Sequence, residues 1–99
     1  MPRVIVTVTY NLKPEAREKY LQLSRQMRDH FVNARKENYS IFESKVKKNQ
    51  YTEMFIINSL EEYEAQEDNL DDITASYVSQ LEKLVDADGL KYNTLVELV

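Results

Sequence analysis

The sequence has no cysteine and no tryptophan, and its 99 residues include only one glycine and two prolines. Without cysteine there is no disulfide, no thiolate metal site and no cysteine nucleophile. The scarcity of glycine and proline excludes collagen-like repeats, flexible linkers and low-complexity segments. The longest apolar run, Met54–Ile57, is too short to span a bilayer, and the first residues lack the apolar region of a signal peptide. We therefore expect a cytoplasmic protein with no membrane partner.

What the chain does contain is an ordinary globular composition, with 42% hydrophobic and 30% charged residues. A chain of this length forms one domain, which we place over residues 1–99.

Residues 1–50 hold 11 Lys/Arg and 5 Asp/Glu, whereas residues 51–99 hold 2 and 12, so net charges of +6 and −10 sum to −4. No basic run exceeds two residues, and the acidic cluster between Glu61 and Asp72 would repel phosphates. We expect no nucleic-acid partner. The acidic cluster also lacks the spacing of a calcium loop, so we expect no metal site.

The first half of the chain alternates between strand and helix patterns. Branched residues at Arg3–Tyr10 predict a strand, and Pro14 opens a helix that ends near Asn33. The apolar stripe of this helix has steps of 4, 3, 4 and 4 residues, at Ala16, Tyr20, Leu23, Met27 and Phe31. Two further strands, Tyr39–Val46 and Tyr51–Asn58, are separated by a short polar turn and predict an antiparallel hairpin.

The second half predicts two helices and a last strand. Ser59 and Glu62 form a capping box for a helix over Leu60–Glu67, and Asp71 or Asp72 caps the next helix. The apolar stripe of that helix consists of Ile73, Tyr77, Leu81, Leu84 and Val85. Gly89 suits a left-handed turn residue before a strand over Leu90–Val99.

The resulting order β-α-β-β-α-α-β predicts an α+β, ferredoxin-like fold, with an antiparallel sheet and its helices on one face. The other face of the sheet would then expose a wide apolar surface, made of Val4, Val6 and Val8 or of the residues that alternate with them. Monomers of this size rarely expose such a patch. We therefore expect a homodimer in which the open sheet faces of two copies meet.

Nearly the whole chain, about residues 3–99, resembles the antibiotic-biosynthesis-monooxygenase-like (ABM-like) proteins of the dimeric α+β barrel superfamily. The resemblance rests on the opening strand Val4–Val8 followed by Leu12-Lys13-Pro14, on the strand Met54–Ile57 and on the segment Ser59–Gln66. It implies a homodimer with a pocket in each subunit, between the sheet and the helices. Some members of the family oxidise quinols or polyketide aromatics with molecular oxygen and without metal or flavin. Others degrade haem, and many have no known activity.

The chain departs from this family at three positions. Ile57 stands where many members have Trp, Gln66 stands where they have His, and Thr7 stands where haem-degrading members have Asn. Glutamine cannot ligate haem iron as histidine does, nor act as a base near neutral pH. We therefore expect no haem and no other cofactor.

Seven residues are candidates for a site. His30 is the only side chain whose ordinary pKa suits base catalysis near pH 7, although a histidine near the end of a helix is also favourable without any catalytic role. The others are expected to bind substrate by hydrogen bonds, with ordinary core, capping or surface roles as the alternative; they are Thr7, Tyr20, Asn58, Tyr63, Gln66 and Tyr77.

Two hypotheses on function follow. The first is a protein that binds a small aromatic or quinol-like molecule between sheet and helices and oxidises it without a cofactor. The second is a non-catalytic ligand-binding or assembly module, which the absence of the family's His and Trp favours.

Overall fold

A computed structural model of the chain describes residues 2–67 and 71–99. Strands and helices follow the expected order, as β1 (Val4–Asn11), α1 (Arg17–Arg28), β2 (Asn38–Glu43), β3 (Gln50–Ile57), α2 (Leu60–Glu67), α3 (Asp72–Glu82) and β4 (Lys91–Val96). A 3₁₀ turn at Pro14–Ala16 leads into α1, and a π-helical turn at Asp29–Ala34 extends it. No helix among the described residues is both long and apolar enough to cross a membrane.

The four strands form one antiparallel sheet in the order β2-β3-β1-β4. The predicted hairpin is present as β2 and β3, and β1 lies between β3 and β4. The ferredoxin-like α+β fold is thereby confirmed. Because strands β1 and β3 lie at the centre, their alternating residues decide what each face of the sheet presents.

The core lies between the sheet and α1. All five residues of the apolar stripe predicted for the first helix are at most 6% exposed, and they are Ala16, Tyr20, Leu23, Met27 and Phe31. On β1, Val4, Val8 and Tyr10 face these helical residues and are equally buried. Val4 and Val8 are thus covered within the chain, Val6 on the same face is half-buried, and the residues alternating with these valines form the open face.

The open face of the sheet is apolar at one end and polar at the other. One row across the sheet contains Ile56, Ile5 and Leu95. Four residues further along β1, another row on the same face contains Thr52, Thr9 and Lys91. The hydroxyl groups of Thr9 and Thr52 share a hydrogen bond of 3.0 Å. The expected wide apolar surface is therefore only part of this face, because threonines occupy its other part.

Caps and turns follow the sequence pattern. The Ser59 hydroxyl accepts a hydrogen bond from the Glu62 amide at 3.2 Å, and the Asp71 carboxylate accepts one from the Thr74 amide at 2.6 Å. Gly89 has a φ of +71°. The predicted break between the second and third helices begins at Asp68, which lies outside the described residues.

Three expectations about the elements were wrong. Strand β4 ends at Val96 rather than at Val99, and β2 ends at Glu43 rather than at Val46. Ile73 is 53% exposed, although it lies on the apolar stripe predicted for α3. Alternation alone could not reveal these ends, since a strand stops where its partner strand stops.

Candidate functional site

A cavity of about 470 Å³ lies between the helix-facing side of the sheet and the helices. Its apolar walls include Val6 and Val8 of β1, Phe55 of β3 and, from α3 and the segment after it, Val78, Leu81 and Leu90. Cavities that hold small organic ligands have about this volume and are lined mostly by apolar and aromatic groups.

The cavity exists because α1 does not cover the whole sheet. Over β2, β3 and the end of β1, side chains of α1 fill the space and join one buried cluster. Over β4, the helix-facing residues Tyr92 and Thr94 stay exposed although they pair with Val8 and Val6. The space beneath α3 is therefore left unfilled by side chains.

Glu53 is the one charged residue that is buried among the described part of the chain. It is 5% exposed, lies on the helix-facing side of β3 and lines the cavity. The Tyr39 hydroxyl donates a hydrogen bond of 2.6 Å to Glu53 Oε1. Burial raises the pKa of Glu53, because removal from water disfavours the charged carboxylate, and the hydrogen bond from Tyr39 opposes this rise.

Two more tyrosine hydroxyl groups are buried in the core near Glu53 and Tyr39. The hydroxyls of Tyr10 and Tyr20 share a hydrogen bond of 2.7 Å. Burial raises the pKa of Tyr10 and of Tyr39, and the nearby charge of Glu53 raises both further. These hydroxyls therefore keep their protons, and that of Tyr39 remains a hydrogen-bond donor to Glu53.

The opposite end of the cavity is polar. Arg35 and Glu37, from the segment before β2, line it together with Gln66 and Thr74. Arg35 donates a hydrogen bond of 2.6 Å to Asp71, which caps α3. Hydrogen bonds from Thr74, followed by that from Arg35, lower the pKa of Asp71. Burial raises the pKa of Glu37.

Only some of the sequence candidates lie at the cavity. Tyr63, Gln66 and Tyr77 line it. Asn58 lies beside it and lines a smaller, more polar cavity of about 320 Å³ that also includes Gln66.

Thr7 and Tyr20 lie away from the cavity. Thr7 pairs with Met54 and Asn93 on the open face of the sheet, because its side chain alternates with those of Val6 and Val8. Tyr20 is 1% exposed and fills the core between Tyr10 and Tyr51, so its side chain does not line the cavity.

His30 lies behind the cavity wall. Its ring contacts Tyr77, with 5.6 Å between the ring centroids, and its Nε2 is 3.5 Å from Asp71 Oδ2. That separation is too long for a well-formed hydrogen bond, and Nε2 is buried without one among the described residues. The geometry therefore does not bring His30 to the cavity, whereas the carboxyl groups of Glu53 and Glu37 line it.

Sequence analysis missed Glu53, and the signal for it is slight. Tyr51, Glu53, Phe55 and Ile57 alternate along β3, so one acidic residue shares a face with three apolar or aromatic ones. Alternation shows that these side chains share a face, but it does not show that this face is the covered one. The prediction that the chain has no metal or cofactor stays a prediction, although the described residues contain no cluster of three metal-ligating side chains.

Comparison with solved structures identifies the fold. The overlay with a proposed antibiotic biosynthesis monooxygenase from Caulobacter crescentus CB15 has a TM-score of 0.77 at 13% identity, and it covers 98% of this chain and 90% of that one. This chain has the ABM-like fold. A conserved protein from Methanosarcina mazei Go1 overlays with a TM-score of 0.80 at 12% identity, over 96% of this chain and 92% of that one.

SnoaB, a cofactor-independent oxygenase from Streptomyces nogalater, overlays on the ABM-like chain with a TM-score of 0.71 at 8% identity, over 94% of this chain and 90% of SnoaB. No model of a known protein family matches the sequence, and no curated protein matches it. At these identities the likeness extends to the fold, and the function has to be argued from the cavity itself.

Proposed function

We propose that this chain binds a small aromatic, quinol-like molecule in the 470 Å³ cavity and that Glu53 accepts the proton of its hydroxyl group. One observation carries the proposal: Glu53 is only 5% exposed, yet it lines a cavity whose walls are mostly apolar and aromatic. A carboxylate in such surroundings is a stronger base than one in water. A ring with an acidic hydroxyl group matches both the walls and the carboxylate.

The second part of the proposal is oxidation of this molecule without a cofactor. A quinol that has lost a proton gives up electrons more readily, so a proton acceptor in a water-poor cavity favours its reaction with molecular oxygen. In the balanced reaction the quinol loses two electrons and two protons and becomes a quinone, while oxygen gains them and becomes hydrogen peroxide. The structural likeness to a protein described as a cofactor-independent oxygenase supports this part.

Binding is tested by calorimetric titration with 2-naphthol. Glu53→Gln keeps the size of the side chain but cannot take the proton, so we expect binding at least about tenfold weaker, as for loss of a charged hydrogen bond. Glu43→Gln is the matched control, since Glu43 is exposed on the neighbouring strand β2, and we expect no change. Equal affinities of Glu53→Gln and the unchanged protein would refute the role of Glu53.

The alternative is a non-catalytic binding module. It is favoured by Ile57 and Gln66, which stand where the resembled family has its Trp and His and which both line the cavity. Oxygen uptake with a naphthalene quinol separates the two functions. Uptake that Glu53→Gln abolishes supports oxidation, whereas binding without any uptake supports the module.

We also propose that the apolar end of the open sheet face covers the same face of a second copy of the chain. Ile5 lies there between Ile56 and Leu95, and Leu95 is 50% exposed. Burial of apolar surface of this kind stabilises dimers.

Light scattering tests the dimer, and we expect about twice the mass of one chain, which is 11.7 kDa. Ile5→Lys places a charge at the centre of the apolar end and should give monomers. Leu21→Lys, on the exposed side of α1, is the control that should remain dimeric. An unchanged protein that stays at 11.7 kDa at micromolar concentration contradicts the proposal.

A further inference from the structure

A second carboxyl group lines the same cavity. Glu37 lies in the segment between α1 and β2, and its amide donates a hydrogen bond of 2.8 Å to the carbonyl of Phe31. This bond fixes the backbone at the polar end of the cavity. The side chain is 13% exposed and shares the lining with Glu53.

The two oxygens of Glu37 have different surroundings. Oε1 is 3.5 Å from Nη2 of Arg35, whereas Oε2 is buried and has no hydrogen-bond partner among the described residues. A buried carboxylate oxygen without a partner is costly, so a structure that keeps one is suited to receive a donor from a ligand. Rotation about the last side-chain bond of a glutamate is soft and can turn this oxygen toward the cavity.

The positions of the two glutamates set the length of such a ligand. Glu37 directly precedes Asn38, which pairs with Ile56, and Ile56 is three residues from Glu53 along β3. Glu37 is therefore level with Ile57, four residues from Glu53, and at roughly 3.3 Å per residue the two glutamate positions are about 13 Å apart along the strand. Because both side chains reach into the space between them, a molecule of one or two rings spans the gap between the carboxyl groups.

We propose that Glu37 is a specificity-determining residue that accepts a hydrogen bond from a second hydroxyl group, at the end of the ligand opposite to the one bound by Glu53. The proposal rests on the function proposed above and adds a second recognition point to it. The preferred ligand therefore carries a hydrogen-bond donor at each end.

The test compares 2,6-dihydroxynaphthalene with 2-naphthol by calorimetry without oxygen, so that nothing is oxidised. We expect the diol to bind about tenfold more tightly than 2-naphthol. A diol with two equivalent hydroxyl groups can bind in two orientations, which alone would give only about a twofold gain. Glu37→Gln replaces the carboxylate with a neutral amide oxygen, which is a weaker acceptor, and should reduce the ratio toward twofold. Glu62→Gln, at the neighbouring polar cavity, is the control that should keep the ratio.

Each outcome decides between the two proposals. A ratio near twofold in the unchanged protein, or a tenfold ratio that survives Glu37→Gln, overturns the role of Glu37 while leaving that of Glu53 standing. If neither compound binds, the proposed function fails and the role of Glu37 fails with it. Circular dichroism checks that the variant folds, and Glu37→Asp, which withdraws the carboxylate by one methylene, should give an intermediate ratio.

Discussion

At the scale of single residues, two glutamates on neighbouring strands illustrate how surroundings set proton affinity. Both Glu43 and Glu53 lie on the helix-facing side of the sheet. A hydrogen bond from Arg17 lowers the pKa of the exposed Glu43, whereas burial raises the pKa of Glu53. The same residue type is thus an ordinary surface anion at one position and a group that holds its proton more tightly at the other.

This contrast predicts opposite effects of pH on stability. The raised pKa of Glu53 means that the folded state holds this proton more tightly, so stability falls as pH rises from 4.5 through the folded-state pKa. Glu53→Gln removes this loss of stability. We therefore expect the difference in the free energy of unfolding between Glu53→Gln and the unchanged protein to favour the variant more at pH 8 than at pH 4. Urea unfolding at several pH values measures this difference.

Glu43→Gln is the internal comparison for that measurement. Because folding lowers the pKa of Glu43, its ionised carboxylate stabilises the folded state above pH 4.5, and this stabilisation is lost as the pH falls through the folded-state pKa. We therefore expect Glu43→Gln to have a lower free energy of unfolding than the unchanged protein at pH 8 but not at low pH. If the free energy of unfolding depends on pH in the same way for Glu53→Gln and for the unchanged protein, the Glu53 carboxyl group is not buried away from water.

At the scale of elements, Asp71 joins the start of α3 to the end of the first helix. It caps α3 through the Thr74 amide and accepts a hydrogen bond from Arg35. We expect Asp71→Ala to lower the free energy of unfolding by about 1 kcal/mol or somewhat more, as for other lost caps. Asp71→Asn, which can still cap, should lose less, and thermal unfolding of the two variants checks the order. Equal losses would mean that the cap contributes nothing.

Most elements could be predicted from the sequence because their signals are local. The stripe from Ala16 to Phe31 has helical spacing, and the caps at Ser59 and Asp71 need only a few neighbouring residues. The exposed Ile73 and the early end of β4 could not be predicted, since they depend on what other parts of the chain cover.

At the scale of the whole molecule, the cavity is a consequence of how the helices are placed over the sheet. Tyr63 and Gln66 could be assigned to a pocket because their helix resembles one of a known family, and Tyr77 because it lies on the apolar stripe of its helix. Glu53 could not, because its burial depends on which side of β3 the helices cover. Thr7 is a polar residue on a strand expected to be buried, which made it a pocket candidate, but it lies on the other face of the sheet.

Binding of a phenolic ring against Glu53 inside the cavity can be measured by methyl NMR of the protein titrated with 2-naphthol. We expect the largest shifts at the methyl groups of Val8, Val78 and Leu81, which line the cavity, and we expect Glu53→Gln to reduce these shifts at equal ligand concentration. Shifts centred on Ile5 and Leu95 of the open sheet face, or no shifts at all, would contradict it.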